Sequence, residues 1–272
     1  MRVHRPRRLI VPILWTLVCL PRGSPAGQPE PAETVRVTPA PPALQFRVEW
    51  RLMRAGTARL AWKPPASGQS AWQADLHLAS SGLVARLVKV DNAYTVAYDD
   101  GFCASTSIMK ASEGKRRREV LVTYNQTPGK ASYLERDLVR NAVSGTREID
   151  VPGCVHDVVA ALEKLRTLRL DAGESIRLPM SDGRKSALVQ VRADGKETVS
   201  TPAGVFRATR YEAFLFNDVL YRRKGRLFVW LTDDDRRLPV QIRMKFQFYL
   251  GSVTLQLEKE SAPAGLALRN QP

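Results

Sequence analysis

The chain has 272 residues, a net charge of +15 and three cysteines, and its length allows one large domain or two small ones. Its basic residues are spread along the chain and form no recognisable nucleic-acid-binding module, which argues against a nucleic-acid partner. The densest basic runs are Lys115–Arg118 and Arg222–Lys224 with Arg226. They predict either solvated sheet edges, where charge prevents aggregation, or a peripheral contact with the anionic headgroups of a membrane.

The first 26 residues have the pattern of a secretory signal peptide. Four arginines between positions 2 and 8 precede twelve apolar residues, Leu9–Leu20, and Ser24-Pro25-Ala26 offers small residues for cleavage. An uncleaved N-terminal anchor is the alternative. Cleavage would remove five of the 42 basic residues, leaving 37 against 27 acidic ones and a net charge of +10. We therefore expect an exported, periplasmic protein.

The remaining chain divides by composition into three parts. Residues 27–43 are rich in proline and predict a flexible tether, residues 44–260 a single β domain, and residues 261–272 a disordered tail. Within the domain, apolar and polar residues alternate over long runs, above all Leu44–Leu52 and Val240–Leu250. Such alternation is typical of strands with one buried face. We predict a mainly β fold, a curved antiparallel sheet or open β-barrel of about 10–11 strands.

Turn signals and apolar spacing locate several connections. Gln126–Gly129 predicts the turn of one hairpin, and Asp182-Gly183 and Asp194-Gly195 predict two further tight turns. The segment Gly82–Val90 breaks the alternation, and its apolar residues are spaced as in a short helix.

One longer amphipathic helix is predicted over about residues 155–168, on the concave side of the sheet. Val158, Val159, Leu162 and Leu165 continue the apolar stripe that begins at Val155, and we expect this stripe to face inward.

Two cysteines, Cys103 and Cys154, lie outside the predicted signal peptide. An even count in an oxidising compartment predicts a Cys103–Cys154 disulfide that pins the helix against the sheet. Two buried free thiols are the alternative.

No catalytic, metal or cofactor site is predicted. Cys154, His156 and Asp157 are the residue types of a thiol hydrolase, but neighbours at the start of a helix point in different directions and cannot form a triad locally. His156 and Asp157 are instead expected to cap the helix. The acidic triplet Asp233–Asp235 lies between two strands and predicts a charged hairpin loop rather than a cation site.

Four tryptophans, Trp50, Trp62, Trp72 and Trp230, fall on the apolar faces of predicted strands. They predict either a core filled by the protein's own side chains or part of a cavity for an acyl chain or another apolar ligand. In the second case Val158 and Leu162 of the helix would line the same cavity.

Four segments resemble the recurring blocks of a bacterial family known as domain of unknown function 3108. In chain order they are FRVEWRLMRAGTARLAW (46–62), VPGCVHDVVAALEKLR (151–166), VSTPAGVFRATRYEA (199–213) and VWLTDDDRRLPVQIRM (229–244). The resemblance implies an exported, predominantly β protein of the cell envelope and transfers no catalytic role. At the level of fold alone, the layout is similar to the half-barrel of the periplasmic lipoprotein carriers LolA and LolB, where helices close a curved sheet over an apolar cavity.

Three functional hypotheses follow. The leading one is a non-enzymatic cell-envelope protein that binds a lipid, a lipoprotein acyl chain or another apolar ligand. The second is an envelope assembly factor or structural adaptor with a filled barrel, which binds a protein partner through an edge strand. The third is an enzyme based on Cys154 and His156.

Overall fold

A curved antiparallel sheet forms the body of the protein. The computed structural model describes residues 33–34, 43–68, 70–247 and 251–261, and within these ranges fourteen strands pair in one unclosed sheet. This arrangement confirms the predicted mainly β class. The predicted signal peptide, nearly all of the predicted tether and the tail beyond residue 261 lie outside the described residues.

The strands follow one another along the chain with two helices between them. The helices are α1 (Gly82–Leu87) and α2 (Val158–Arg166). In the described part of the chain, neither helix has the length and apolar character needed to cross a membrane. The strands are β1 (Glu33–Thr34), β2 (Ala43–Trp50), β3 (Met53–Lys63), β4 (Trp72–Ser80), β5 (Val90–Tyr98), β6 (Ala104–Glu113), β7 (Arg116–Asn125), β8 (Lys130–Asp137), β9 (Ala142–Asp150), β10 (Leu168–Arg169), β11 (Ser175–Ser181), β12 (Ser186–Thr201), β13 (Gly204–Ala213), β14 (Gly225–Thr232), β15 (Pro239–Phe246) and β16 (Ser252–Glu260).

The large sheet consists of two meanders joined in its interior. Its order is β11-β12-β13-β14-β15-β16-β2-β3-β4-β5-β6-β7-β8-β9. The two meanders meet where β16 pairs with β2, with Val253 opposite Trp50 and Leu257 opposite Phe46. Strands β11 and β9 are therefore the two edges. The short strands β1 and β10 pair separately.

The predicted alternation of buried and exposed residues is present in the strands. In β2, Leu44, Phe46 and Val48 are buried while Gln45 is exposed. Because successive side chains of a strand point to opposite faces, this pattern places one face of the sheet against the core. Strand β15 ends at Phe246, and the predicted end of that run at residues 248–250 lies outside the described residues.

The sheet has more strands than the 10–11 expected, and one reversal lies earlier than the alternation indicates. The β2–β3 turn consists of Arg51 and Leu52, which both have positive φ angles of 49° and 68°. Two-residue hairpin turns of this kind normally use asparagine or glycine, so neither residue signals the turn, and the alternating run Leu44–Leu52 continues into it.

One predicted turn is a bulge instead. Asp194 and Gly195 lie inside β12, which continues to pair with β13 on both sides of an irregularity between Ala193 and Gly195. Gly195 has φ 130°, a conformation that costs little only for glycine, so the extra residue is absorbed without a reversal. The predicted turns at residues 126–129 and 182–183 are present between β7 and β8 and between β11 and β12.

Helix α2 begins three residues later than predicted. Asp157 caps it, since its Oδ1 accepts a hydrogen bond from the Ala160 amide at 2.7 Å. Val155 lies in the extended segment before the helix, where its carbonyl accepts from the Ala104 amide at 2.8 Å. The backbone of His156 forms a bridge to Met180 rather than a helix cap. Residues 155 and 156 are therefore extended and precede the helix, although the apolar stripe predicted that the helix begins at Val155.

The Cys103–Cys154 disulfide is present and joins the β5–β6 connection to the segment before α2. The two Cα atoms are 4.9 Å apart, within the usual range for a disulfide. In the chain-entropy account, a cross-link over a separation of 51 residues stabilises the fold by roughly 4 kcal/mol. It ties the segment that leads into α2 to the sheet.

Candidate functional site

A cavity of about 320 Å³ lies between α2 and the buried face of the sheet. Among the described residues around it, Tyr221 alone carries a polar side-chain group. The other lining residues are Phe46, Leu60, Leu76, Val158, Val159, Ala161, Leu162, Leu165, Leu178, Met180, Val191, Ala213, Leu215, Phe216, Leu227, Val229, Ile242, Met244 and Leu255.

The cavity exists because two apolar surfaces face each other without filling the space between them. The apolar stripe of α2 forms one wall, and inward residues from nine strands form most of the other. Protein interiors are normally packed as densely as organic crystals. An unfilled apolar space is unfavourable, because the side chains that line it lack packing partners on one side.

A second cavity of about 410 Å³ adjoins the first near the start of α2. Both are lined by Leu76, Val158, Val159 and Tyr221. Unlike the first cavity, the second also has polar and charged side chains in its wall. These are Asn92, Tyr94, Ser107, Arg118, Tyr133, Ser181, Asp182 and Arg184.

Arg118 is the least satisfied cation of this second cavity. Its Nε is buried with no hydrogen-bond acceptor among the described residues, and its ion-pair partner Glu135 lies 4.0 Å from Nη1. Glu135 also accepts a hydrogen bond from the Tyr133 hydroxyl at 2.5 Å. Arg184, by contrast, pairs closely with Asp182 at 2.9 Å. The Arg118 side chain is 24% exposed and its ion pair with Glu135 is long, so it brings a weakly paired positive charge to the cavity wall.

The start of α2 is held by a buried carboxyl group. Asp157 accepts hydrogen bonds from the Ala160 amide and from the Tyr94 hydroxyl. Burial raises the pKa of Asp157 to about 6, although these hydrogen bonds favour the charged form. Burial, followed by the nearby Asp157 charge, raises the pKa of Tyr94 well above its usual value, so this hydroxyl remains a donor.

The end of α2 is held by two buried arginines that bind each other's backbone. Arg166 donates to the carbonyls of Arg237 at 3.0 Å and Arg236 at 2.9 Å, in the β14–β15 turn. Arg237 donates in return to the carbonyls of Arg166 and Leu168, both at 2.6 Å. Arg237 also donates to the Tyr211 hydroxyl at 2.9 Å. These bonds supply acceptor partners that the last turn of a helix otherwise lacks.

A carboxylate on the same helix neutralises the positive charge of Arg166. Its Nη1 donates to Glu163 at 2.6 Å, and its guanidinium lies 5.5 Å from the centre of the Trp62 ring. Burial raises the pKa of the Glu163 carboxyl, while the Arg166 charge opposes that shift. The pair therefore belongs to the structural attachment of the helix rather than to either cavity wall.

The six residues predicted to line a ligand cavity are only partly brought together. Val158 and Leu162 line the apolar cavity. Trp50, Trp62 and Trp72 are half-buried and pack against the core, and Trp230 is buried, but none of the four lines either cavity. Smaller aliphatic residues occupy the part of the sheet beneath α2. The alternation shows that a tryptophan lies on the apolar face of its strand, but it does not show whether that position lies beneath α2.

The residues considered for catalysis are separated or engaged in other bonds. Cys154 is in the disulfide, so its sulfur is not a free thiol here. The buried His156 donates from Nδ1 to the Phe102 carbonyl at 2.6 Å, and burial lowers its pKa. The other histidine in the described part of the chain, His77, is exposed and hydrogen-bonds Asp91 at 2.7 Å.

The acidic triplet Asp233–Asp235 lies in the β14–β15 turn, as expected for a charged hairpin loop. Asp233 pairs with Lys196 at 3.0 Å, and Asp235 pairs with Arg169 at 3.2 Å. Among the described residues, no cluster of His, Cys, Asp and Glu side chains is suited to hold a metal ion.

Sequence reasoning missed Arg166 and Arg237 as structural residues. Arginines near acidic neighbours usually indicate an exposed loop, and Arg237 follows the Asp233–Asp235 triplet directly. The one available signal was the position of Arg166 at the end of an apolar stripe, where a basic side chain can bind terminal carbonyls.

Fold and site together define a mainly β protein in which a helix is held across an apolar cavity. The chain belongs to the family described as "Protein of unknown function (DUF3108)", whose pattern matches residues 45–258. This confirms the resemblance found in the sequence. No curated protein matches the chain.

Solved structures give a likeness of fold. A β-barrel-like protein of domain of unknown function DUF1849 from Brucella abortus superimposes with a TM-score of 0.51 at 11% identity, covering 82% of this chain and 96% of the other. A protein described as exported, with a YmcC-like fold, from Bacteroides fragilis gives a TM-score of 0.36 at 10% identity, covering 84% and 98%. The first likeness supports the fold, and we draw no argument from the second.

Replacing Arg237 with leucine should loosen the end of α2. The change removes three hydrogen bonds and leaves buried carbonyls without donors, so we expect a loss of about 3 kcal/mol in the free energy of unfolding, measured in urea. Arg236→Leu is the control, since the Arg236 side chain is 40% exposed and forms surface ion pairs. It should lose less than about 1 kcal/mol. Equal losses in the two variants would contradict the structural role of Arg237.

Replacing Asp157 with asparagine should change how stability depends on pH. The folded protein keeps the Asp157 proton up to about pH 6, whereas the ordinary pKa is 3.8. Between these values the folded state binds more protons than the unfolded state, so this group's contribution to stability falls as pH rises. Asparagine still caps a helix but does not titrate. Urea unfolding from pH 4 to pH 7 should therefore show a decline of roughly 1–3 kcal/mol in the wild type relative to the variant. Parallel pH profiles would contradict this expectation.

Proposed function

We propose that this protein binds a lipid-like molecule with an acyl chain and catalyses no reaction. The observation that carries the proposal is the apolar cavity of about 320 Å³ between α2 and the sheet. Its volume falls within the range of ligand pockets, and apolar cavities remain dry and accept apolar guests. A bound acyl chain would restore the contacts that the facing side chains lack.

The adjoining cavity supports a ligand with one polar end. It shares Val158, Val159 and Tyr221 with the apolar cavity, so the two cavities are neighbours, and the ligand of this proposal extends across both. Arg118 lines this second cavity, and its ion pair with Glu135 is long, at 4.0 Å. We therefore place the acyl chain beneath α2 and a carboxylate or other anionic headgroup next to Arg118.

The same proposal includes export to the periplasm. Disulfides persist in oxidising compartments outside the cytoplasm, and the Cys103–Cys154 bond is consistent with such a location. The signal-peptide pattern of residues 1–26 supplies the route.

Filling the apolar cavity should block binding of an acyl chain. We expect Leu162→Trp to weaken binding of palmitate by about tenfold or more, because the indole would occupy the space beneath α2. Native mass spectrometry of the protein with added palmitate would measure the bound fraction. Val205→Trp is the control, since Val205 is 70% exposed on β13 and lines neither cavity.

Two results would count against the lipid-binding proposal. The first is a wild-type protein that takes up no palmitate and yields no lipid on extraction from its own envelope. That result would favour the adaptor hypothesis, in which the edge strand β9, whose side chains are mostly exposed, pairs with a partner. The second is unchanged binding in Leu162→Trp.

Replacing Arg118 with methionine should distinguish the contribution of the charged headgroup to binding from that of the acyl chain. Methionine retains much of the apolar length of arginine but removes the charge and the donors. We expect palmitate binding to fall about tenfold while binding of the uncharged hexadecan-1-ol is unchanged, measured by the same mass spectrometry. Lys110→Met is the control, because this exposed lysine pairs with Glu119 at 3.4 Å and lies outside both cavities. An equal loss for both ligands would place the headgroup elsewhere.

A further inference from the structure

One end of the sheet gathers every second connection of the meander β2–β9. In an antiparallel meander, alternate turns lie at the same end. The β2–β3 turn, the connection that contains α1, the β6–β7 turn and the β8–β9 turn therefore share one end, which we call the α1 end. A hydrogen bond of 2.8 Å from the Ser81 amide to the Ala55 carbonyl holds the α1 connection beside β3.

The α1 end carries most of the exposed apolar surface. Eight of the eleven large apolar residues that the structure exposes within its described ranges lie here. Leu52 is 89% exposed, Leu83 71% and Leu87 76%. The others are Met53, Val88, Leu138, Val139 and Val143. Helix α1 buries none of its residues, although three of its six are leucine or valine.

The same end is strongly basic. In three of its connections basic residues outnumber acidic ones: Arg51 and Arg54 in the first, Arg86 and Lys89 in the second, and Lys115–Arg117 against Glu113 in the third. Arg86, Lys89 and Lys115 make no ion pair with any described residue.

The second basic run of the sequence reaches this end as well. Gly225 pairs with Phe246 at the last step of β15, and Val253 of β16 pairs with Trp50 next to the β2–β3 turn. The β13–β14 loop, with the exposed run Arg222–Lys224, therefore lies at the α1 end. The two basic runs are more than 100 positions apart in the sequence but belong to one end of the fold.

We propose that the α1 end docks onto the surface of an anionic phospholipid bilayer. Exposed leucines surrounded by basic side chains match the two layers of such a surface, since the leucines can enter the acyl boundary while the cations contact phosphate headgroups. The apolar patch alone would also suit a soluble protein partner. The excess of unpaired cations around it favours an anionic surface instead. This inference concerns a different surface from the lipid-binding cavity and does not depend on that function.

Docking would also bring the cavity close to the membrane. Leu227 of β14 and Met244 of β15 pair with each other, and both line the apolar cavity. Strand β15 terminates at the α1 end, and Met244 lies two residues before its last residue, Phe246. The apolar cavity therefore extends to within two residue pairs of the α1 end of β14 and β15.

The test places an environment-sensitive fluorophore at two positions of the full chain. Leu87→Cys is labelled with a nitrobenzoxadiazole dye in a Cys19→Ser background, where the disulfide leaves the new cysteine as the single free thiol. Val205→Cys is the matched control, because Val205 is similarly exposed and lies at the opposite end of β13 from the β13–β14 loop. We expect vesicles of phosphatidylglycerol and phosphatidylcholine in equal parts to shift the emission at position 87 to the blue and to raise its intensity at least about twofold. Position 205 should not change.

Charge reversal tests the second half of the inference. The pair Arg86→Glu and Lys115→Glu should weaken binding of the full chain to the same vesicles by about tenfold or more, and added salt should weaken the wild type in the same direction. Arg59→Glu with Arg177→Glu is the control, since both arginines are exposed elsewhere on the sheet.

The inference is overturned if position 87 gives no spectral change, if positions 87 and 205 respond alike, or if both charge-reversed pairs bind as the wild type does. Equal binding to vesicles of phosphatidylcholine alone would also overturn it. A dye response at position 87 to a protein extract but not to vesicles would show that the surface serves a protein partner instead.

Discussion

The position of α2 depends on two arginines that bind each other's backbone. Arg166 at the end of the helix and Arg237 in the β14–β15 turn satisfy carbonyls on the opposite element, with distances of 2.6–3.0 Å. At the other end, the Cys103–Cys154 disulfide and the Asp157 cap fix the segment that leads into the helix. These attachments set the distance between the helix and the sheet. The cavity is therefore a result of how the helix is attached and not of poor packing alone.

This arrangement separates the groups that hold the fold from the groups that face the cavity. The polar side chains that attach α2 lie near its two ends: Asp157 caps its start, and Glu163 and Arg166 lie near its end. Its apolar residues between those ends face the sheet. Because the polar contacts supply the attachment, the apolar face need not pack tightly to keep the helix in place. For this reason the helix can be firmly attached while the cavity beneath it stays unfilled.

Much of the fold could be predicted from local patterns. The alternation at Leu44–Val48 determines which face of β2 is buried, and the stripe at Val158 and Leu162 determines which face of α2 turns inward, since both depend only on the period of the element. The disulfide was predictable because only two cysteines lie outside the signal pattern. These features need no knowledge of distant contacts.

The remaining features depend on contacts between distant parts of the chain. Arg237 is buried because it binds Arg166, 71 positions away, and its own neighbourhood reads as a polar loop. The tryptophans lie on apolar faces as expected, but which part of the sheet α2 covers depends on the pairing of fourteen strands. Gly195 marks a bulge rather than a turn because β13 continues to pair on both sides of it. Local sequence carries none of this information.

The pairing of β16 with β2 has a consequence for the order in which the protein can fold. A chain that emerges N-terminus first, from a ribosome or a translocation pore, delivers β2 long before its neighbour β16. Until then, one side of β2 presents unpaired backbone groups that can bind another copy of the chain. Joining the two meanders closes a loop that spans nearly the whole sheet, and such distant contacts form slowly. A chaperone that covers this edge of β2 would protect the protein during the interval when half of its sheet is still missing.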